Sequence, residues 1–219
     1  MDLVNELQVS AERDDVLTVL RKARRLASKL KVDDINAWLR SEQNGYDGSV
    51  EIPAYRTVKG SLCFNTNGPI PVGYGMTGNG IMHYPGGILV DSPMNDSMSE
   101  LISLVESTRD GRNGLFLQMH DPDVLGNLRQ MIHPRLANQV TFMLKMSVQQ
   151  VQAIPEAVKD RVLDWACELE RRGILGTGMT FDAAEVARAG DVTFNISGSS
   201  VGQLSNMGKN IQGKQHGEI

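Results

Sequence analysis

The chain has 219 residues, 41% hydrophobic, 22% charged and 5% aromatic, with a formal net charge of -4. That balance suits a soluble globular protein with one sizeable core and no need for a second large domain. A net negative charge argues against a dedicated nucleic-acid coat, although a single face can still be basic.

The longest wholly apolar runs, such as residues 87–90, fall far short of the roughly 20 residues a membrane helix needs. The start Met1-Asp2-Leu3-Val4-Asn5-Glu6 lacks the basic and apolar regions of a signal peptide, so a cytoplasmic location and no membrane partner are expected. Cys63 and Cys167 are too few and too far apart for a disulfide framework or a paired-cysteine metal knuckle. Both are expected to be reduced core thiols.

In chain order, the first helix is expected over residues 14–30. Val16, Leu17, Leu20, Ala23, Leu26, Ala27 and Leu30 recur there at three- and four-residue spacing. Arg21, Lys22, Arg25 and Lys29 fall together on its opposite face. A second helix carries Ile35, Trp38 and Leu39, with Asp33 or Asp34 as its cap and Asn44-Gly45 as its left-handed stop. Residues 52–90 are rich in glycine and proline and predict irregular β structure with short strand-like runs at 56–64 and 88–90.

Helical spacing returns with Met98, Leu101, Ile102 and Val105, and again behind Asp121-Pro122, a cap followed by proline at the first helical position. Val140, Phe142, Leu144 and Met146 alternate as a half-buried strand ending at Ser147. Ser147 and Gln150 have capping-box spacing for a short turn, and Pro155 is expected to open a long helix with Val158, Val162, Trp165 and Leu169 on its buried stripe. A last short helix starts at Asp182, with Glu185 three residues on, and stops at Gly190. Residues 191–219 turn to glycine, serine, asparagine and glutamine and read equally as a disordered tail or as self-associating strand, with Val192, Phe194, Ile196, Val201 and Leu204 as the candidates for the latter.

Two glycine motifs match catalytic or cofactor patterns by letter only. Gly73-Tyr74-Gly75-Met76-Thr77-Gly78 lacks the strand-to-helix context of a dinucleotide loop, and Gly198-Ser199-Ser200-Val201-Gly202 lacks the helix that follows a hydrolase elbow. His83, His120, His133 and His216 are scattered, without metal-ligand spacing, so no metal and no cofactor is expected. A hydrolase built on His120 with Asp121 or Asp123 is the weakest reading, since Asp121 before Pro122 reads as a helix cap.

The most informative stretch runs from Leu20-Arg21-Lys22-Ala23-Arg24-Arg25-Leu26-Ala27-Ser28-Lys29-Leu30 through Trp38-Leu39 and Glu42-Gln43-Asn44-Gly45-Tyr46 to Ile52-Pro53-Ala54-Tyr55-Arg56. It resembles the AbiTii domain family of bacterial abortive-infection proteins, with Gln43 in place of the usual leucine. Pro69-Ile70-Pro71 and residues 173–181 extend the resemblance over most of residues 1–190. Within the motif, Asn44-Gly45 reverses the chain, Tyr46 and Tyr55 can pack on Trp38, and Arg56 can pair with Glu42 or satisfy a helix-end carbonyl. The motif residues Trp38, Glu42, Asn44, Gly45, Tyr46, Pro53, Tyr55 and Arg56 therefore have structural roles, and no catalytic residue carries over.

The resemblance implies phage defence by abortive infection. The expected architecture is a mostly helical α+β domain over residues 1–190 with a short irregular β region, followed by a strand-prone tail. The expected act is protein contact or self-assembly by a homo-oligomer, with a phage or defence-system protein as a further partner. The alternative is a nucleic-acid-binding effector that uses the basic face of Arg21, Lys22, Arg25 and Lys29.

Overall fold

The computed structural model describes residues 2–66, 75–76, 82–83, 87–108, 115–119, 122–130, 134 and 140–192. It opens with a helix absent from the expected elements, α1 (Leu3–Arg13), which buries Leu3, Val4, Leu7 and Ala11. Asp14 ends α1, and the carboxylate of Asp15 caps α2 (Val16–Leu30) by accepting from the Thr18 N–H at 3.0 Å. The helix with the basic face is therefore the second. Its stripe is as expected, with Val16, Leu20, Ala23, Leu26, Ala27 and Leu30 buried and Leu17 packed at the margin.

Lys31 ends α2 in the left-handed conformation at φ 58°, and Val32 N–H closes the turn on the Ala27 carbonyl at 3.1 Å. In α3 (Asp33–Asn44), neither aspartate is the N-cap. Val32 holds that position without a side-chain bond, and Asp33 and Asp34 lie in the first turn, where negative charge favours the helix dipole.

The β region is more regular than its composition predicts. β1 (Thr57–Thr66) is the centre of a six-stranded antiparallel sheet among the described residues. It pairs with β6 (Val140–Met146) along one edge, and with β4 (Leu89–Pro93) and then β3 (Met82–His83) along the other. β2 (Gly75–Met76) extends β3, and β5 (Leu115–Gln118) extends β6. Val58, Leu62 and Phe64 on β1 are buried with Phe142, Leu144 and Met146 on β6, and Gly60 pairs with Met146 within the same ladder. A Cβ at Gly60 would stand 3.0 Å from Leu144 Cβ and 3.1 Å from Met146 Cγ, so the close approach of β6 uses the missing side chain.

α4 (Met98–Glu106) begins with a complete capping box between Ser97 and Glu100. α5 (Pro122–Gln130) has Pro122 at its first position as expected, whereas Asp121 lies outside the described residues. The long helix, α6 (Val148–Arg171), starts seven residues before the expected one and carries Pro155 inside it. An interior proline removes a hydrogen bond and costs about 3 kcal/mol, yet Val151 and Ile154 before it are fully buried and extend the stripe of Val158, Val162 and Trp165. Ser147 makes no side-chain cap, and Gln150 serves the sheet instead. Its Oε1 accepts from Lys59 N–H at 2.8 Å and its Nε2 donates to Lys59 O at 3.3 Å, continuing the β1 ladder beyond the end of β6.

α7 (Ala183–Ala189) matches its expected cap and stop at Asp182, Glu185 and Gly190. One buried cluster runs through α1, α2, α6 and the inner face of the sheet. The fold is thus mostly helical α+β. Cys63 is buried as expected, but Cys167 is exposed on α6 and is not a core thiol.

The two ends of the described fold are tied through one carboxylate. Glu185 Oε1 accepts from the N–H groups of Leu175 (2.8 Å) and Gly176 (3.0 Å), and its Oε2 accepts from Asp182 N–H (2.9 Å). The carbonyls of the same two loop residues accept from Val4 and Leu3, each at 3.1 Å, which satisfies the orphan donors at the start of α1. Gly176 sits at φ 71°, and a Cβ there would lie 2.6 Å from the Phe181 ring. Burial alone would raise the Glu185 pKa, but the donors at Gly176, Asp182 and Leu175 outweigh it and hold the carboxyl below its usual range.

A folded-state pKa below the unfolded one contributes stability that is complete above about pH 4.5 and is lost as pH falls through the folded value. Glu185→Gln should therefore lower stability at pH 7 by about 1–3 kcal/mol and flatten the acid-side loss, as read by urea unfolding from pH 7 to pH 3. Lys31→Gly should raise stability by up to about 1 kcal/mol, since glycine adopts the left-handed turn without strain; thermal unfolding checks it.

Candidate functional site

The family-like motif converges on one buried ion pair. Glu42 lies in the last turn of α3 and Arg56 in the short 3-10 turn, Ala54–Arg56, just ahead of β1, and both side chains are 0% exposed. Arg56 Nη2 donates to Glu42 Oε2 at 2.9 Å and Nε donates to the same oxygen at 3.1 Å. Nη1 donates to the carbonyls of Met94 (2.8 Å) and Asp96 (2.9 Å), and Nη2 also reaches the helix-end carbonyl of Glu42 at 3.5 Å. Both roles expected for Arg56 are therefore filled at once.

Glu42 Oε1 accepts from the hydroxyls of Tyr46 and Tyr55, and Trp38 Nε1 donates to Tyr55 Oη at 2.9 Å. The Arg56 guanidinium stands 4.8 Å over the Tyr46 ring, and Arg161 stands 3.9 Å over Tyr55. Burial first, then the Glu42 charge, pushes both tyrosine pKa values far up, so both phenols stay protonated donors. Pro53 is buried, and its carbonyl accepts from Arg56 N–H at 2.9 Å to form the turn that enters β1.

The same cluster shapes a cleft of about 400 Å³ between residues 44–47 and residues 95–97, with Glu100 on its rim. Asn44 is exposed on its wall. Gly45 turns at φ 94°, and a Cβ there would lie 2.8 Å from the Asn95 carbonyl, so only glycine permits this approach. That carbonyl accepts from Tyr46 N–H at 2.8 Å. The far wall was missed from the sequence, although Ser97 and Glu100 ahead of an apolar run carry a capping-box signal.

The basic face is divided. Arg21 and Arg25 are exposed and make no hydrogen bond or ion pair among the described residues. Lys22 is bound to Asp14 at 3.0 Å and lies 3.7 Å from Glu6, tying α2 to α1. Lys29 donates to the Met179 carbonyl, and Arg24 donates to Gln43, the residue standing where the family-like motif has leucine. Of the tail candidates, Val192 packs against the core, while Phe194, Ile196, Val201 and Leu204 lie outside the described residues. So do His120, His133, His216 and residues 198–202; of the 73–78 motif only Gly75 and Met76 are described, as strand β2.

Chemically, the Glu42 carboxylate and Arg56 guanidinium are consumed by internal bonds, which leaves neither available for acid–base work. Burial pushes the Cys63 thiol up, and partial burial with the charges of Glu170, Asp164 and Glu12 does the same for Cys167, so neither is an activated nucleophile. Among the described residues, no group of three or more His, Cys, Asp or Glu is placed to hold a metal ion, and no helix is long and apolar enough to cross a membrane.

Removing one member of the buried pair leaves the other unpaired out of water. Glu42→Gln and Arg56→Met should each cost about 3–5 kcal/mol. The double variant should cost less than their sum by at least about 2 kcal/mol, measured as a double-mutant cycle in denaturant unfolding.

A family model described as AbiTii matches residues 2–194, a span that holds every described element from α1 to α7. No curated protein and no solved structure matches the chain. The family suggests a role in abortive-infection defence. With Trp38, Glu42, Tyr46, Tyr55 and Arg56 of the motif joined in one hydrogen-bonded cluster and the family match running through the whole described fold, the chain belongs to the AbiTii family.

Proposed function

We propose that the chain serves abortive infection as a non-catalytic interaction protein, acting through protein contacts and self-assembly. The observation that carries this reading is the saturation of the motif's polar groups. Glu42, Arg56, Tyr46 and Tyr55 spend their hydrogen bonds on one another and on the carbonyls beside the cleft. The motif therefore builds a rigid support, and what the fold offers outward is surface and tail.

Asp191 and Val192 are anchored, the first through its carbonyl to Arg172 Nη1 at 2.9 Å and the second in the core, so a tail deletion should begin at residue 193. Light scattering on the intact chain should give an oligomer free of nucleic acid, and deletion of residues 193–219 should reduce its mass to that of a smaller species. An unchanged number of subunits after deletion contradicts the assembly role of the tail.

The nucleic-acid reading rests on Arg21 and Arg25 alone, since Lys22 and Lys29 are engaged. Two phosphate contacts give a salt slope of about -2, and Arg21→Glu with Arg25→Glu should abolish it in a titration with duplex DNA or RNA. Binding indifferent to salt would contradict this second reading.

A further inference from the structure

The outward face of α2 carries two arginines that make no hydrogen bond or ion pair among the described residues. Arg21 and Arg25 are one turn apart and exposed, while Lys22, Arg24 and Lys29 on or beside that face are held within the chain, and Lys31 lies off to its flank in the turn that ends α2. Arginine is the cation most enriched at protein interfaces, because its planar fork binds carboxylates in fixed geometry at a low hydration cost.

The complementary surface lies at the end of the same helical hairpin. The cleft of about 400 Å³ presents the carboxylates of Asp47, Asp96 and Glu100, all exposed and none paired with a cation among the described residues. Hydrogen bonds from Ser49 lower the Asp47 pKa and those from Ser97 lower the Glu100 pKa, which keeps both ionised through neutral pH. The walls are preset: Arg56 Nη1 grips the Met94 and Asp96 carbonyls, and Tyr46 N–H holds Asn95. A guest that docks there does not have to order the cleft, which removes part of the entropic cost of binding.

We infer that a second copy of this chain is the partner, with Arg21 and Arg25 of one copy seated against Asp47, Asp96 and Glu100 of the other. This rests on the self-association reading above and assigns part of it to the folded domain. Arg24, between the two arginines in sequence, bonds Gln43, the neighbour of the cleft residue Asn44, so ridge and cleft share the α2–α3 hairpin. A polyanion laid on the ridge leaves the carboxylates of the cleft unpaired. A partner bearing both signs does not, and a second copy supplies the reciprocal arrangement in which each ridge meets the other's cleft.

The test uses the full-length chain and two charge-reversed variants, Arg21→Glu/Arg25→Glu and Asp47→Lys/Asp96→Lys, with folding checked by circular dichroism. Dilution light scattering should show each variant associating roughly tenfold more weakly or worse, from the loss and reversal of several exposed pairs. An equimolar mixture of the two variants, and a chain carrying all four substitutions, should both recover the wild-type association to within about threefold, and wild-type association should weaken as salt rises. If the wild type assembles but neither variant changes the mass, or the mixture fails to recover it, the ridge-and-cleft contact is wrong while self-association stands. If the intact wild type is a monomer at every concentration, the self-association reading itself falls and takes the contact with it. Polynucleotide binding lost in the arginine variant and strengthened in the aspartate variant would assign the ridge to a nucleic acid and overturn the proposal.

Discussion

Glu42 and Arg56 lie completely out of water, and a buried pair of this kind is tolerable only when its remaining donors and acceptors are satisfied. Here they are, and the way they are satisfied sets the architecture around them. The carboxylate gathers Tyr46, Tyr55 and, through Tyr55, Trp38; the guanidinium gathers the end of α3 and the loop that leads into α4. Segments that are far apart in the chain are thereby joined at the point where the helical hairpin hands over to the central strand. Hydrophobic burial gives most of the driving force elsewhere, along α6 and the inner face of the sheet, but it is not directional. The ion pair supplies the angular information that places the hairpin, the strand and the cleft relative to one another.

That division explains what could be read from residues alone. The Glu42–Arg56 pairing and the Gly45 turn were legible because a carboxylate, a glycine and an arginine flanking a chain reversal have few ways to be satisfied. The α2 stripe, the β6 alternation and the Asp182–Glu185 box were equally plain, since period and capping chemistry are local. α1 was missed although Leu3, Val4, Leu7 and Ala11 carry its spacing; its first donors are satisfied by Leu175 and Gly176, which no local reading can supply. Pro155 misled in the same way, because burial of Val151 and Ile154 outweighs a local penalty. The basic face was legible as a set of charges but not as a set of partners, which depend on where Asp14, Gln43 and Met179 arrive in the fold.

The same principle bears on function. The motif's most distinctive polar residues are spent on holding the chain's own segments together, and under the proposed reading the shaped, charged exterior is what remains to make contacts. Within that exterior the mixed-sign hairpin and the anchored start of the tail at Val192 are separate features, one electrostatic and one apolar. Association through two such surfaces would depend jointly on ionic strength and on concentration.

Native-state hydrogen exchange tests the organising role of the buried pair most directly. The Tyr46 N–H, bonded to the Asn95 carbonyl, and the Met94 N–H, bonded to the Arg56 carbonyl, report on the junction, and amides in the middle of α6 around Trp165 report on global unfolding. If the pair holds the fold, the junction amides exchange only with the free energy of the α6 amides, and in Arg56→Met they exchange locally while α6 stays protected. Junction amides that already exchange by a low-energy local opening in the wild type would contradict the claim that this ion pair is the constraint on which the structure depends.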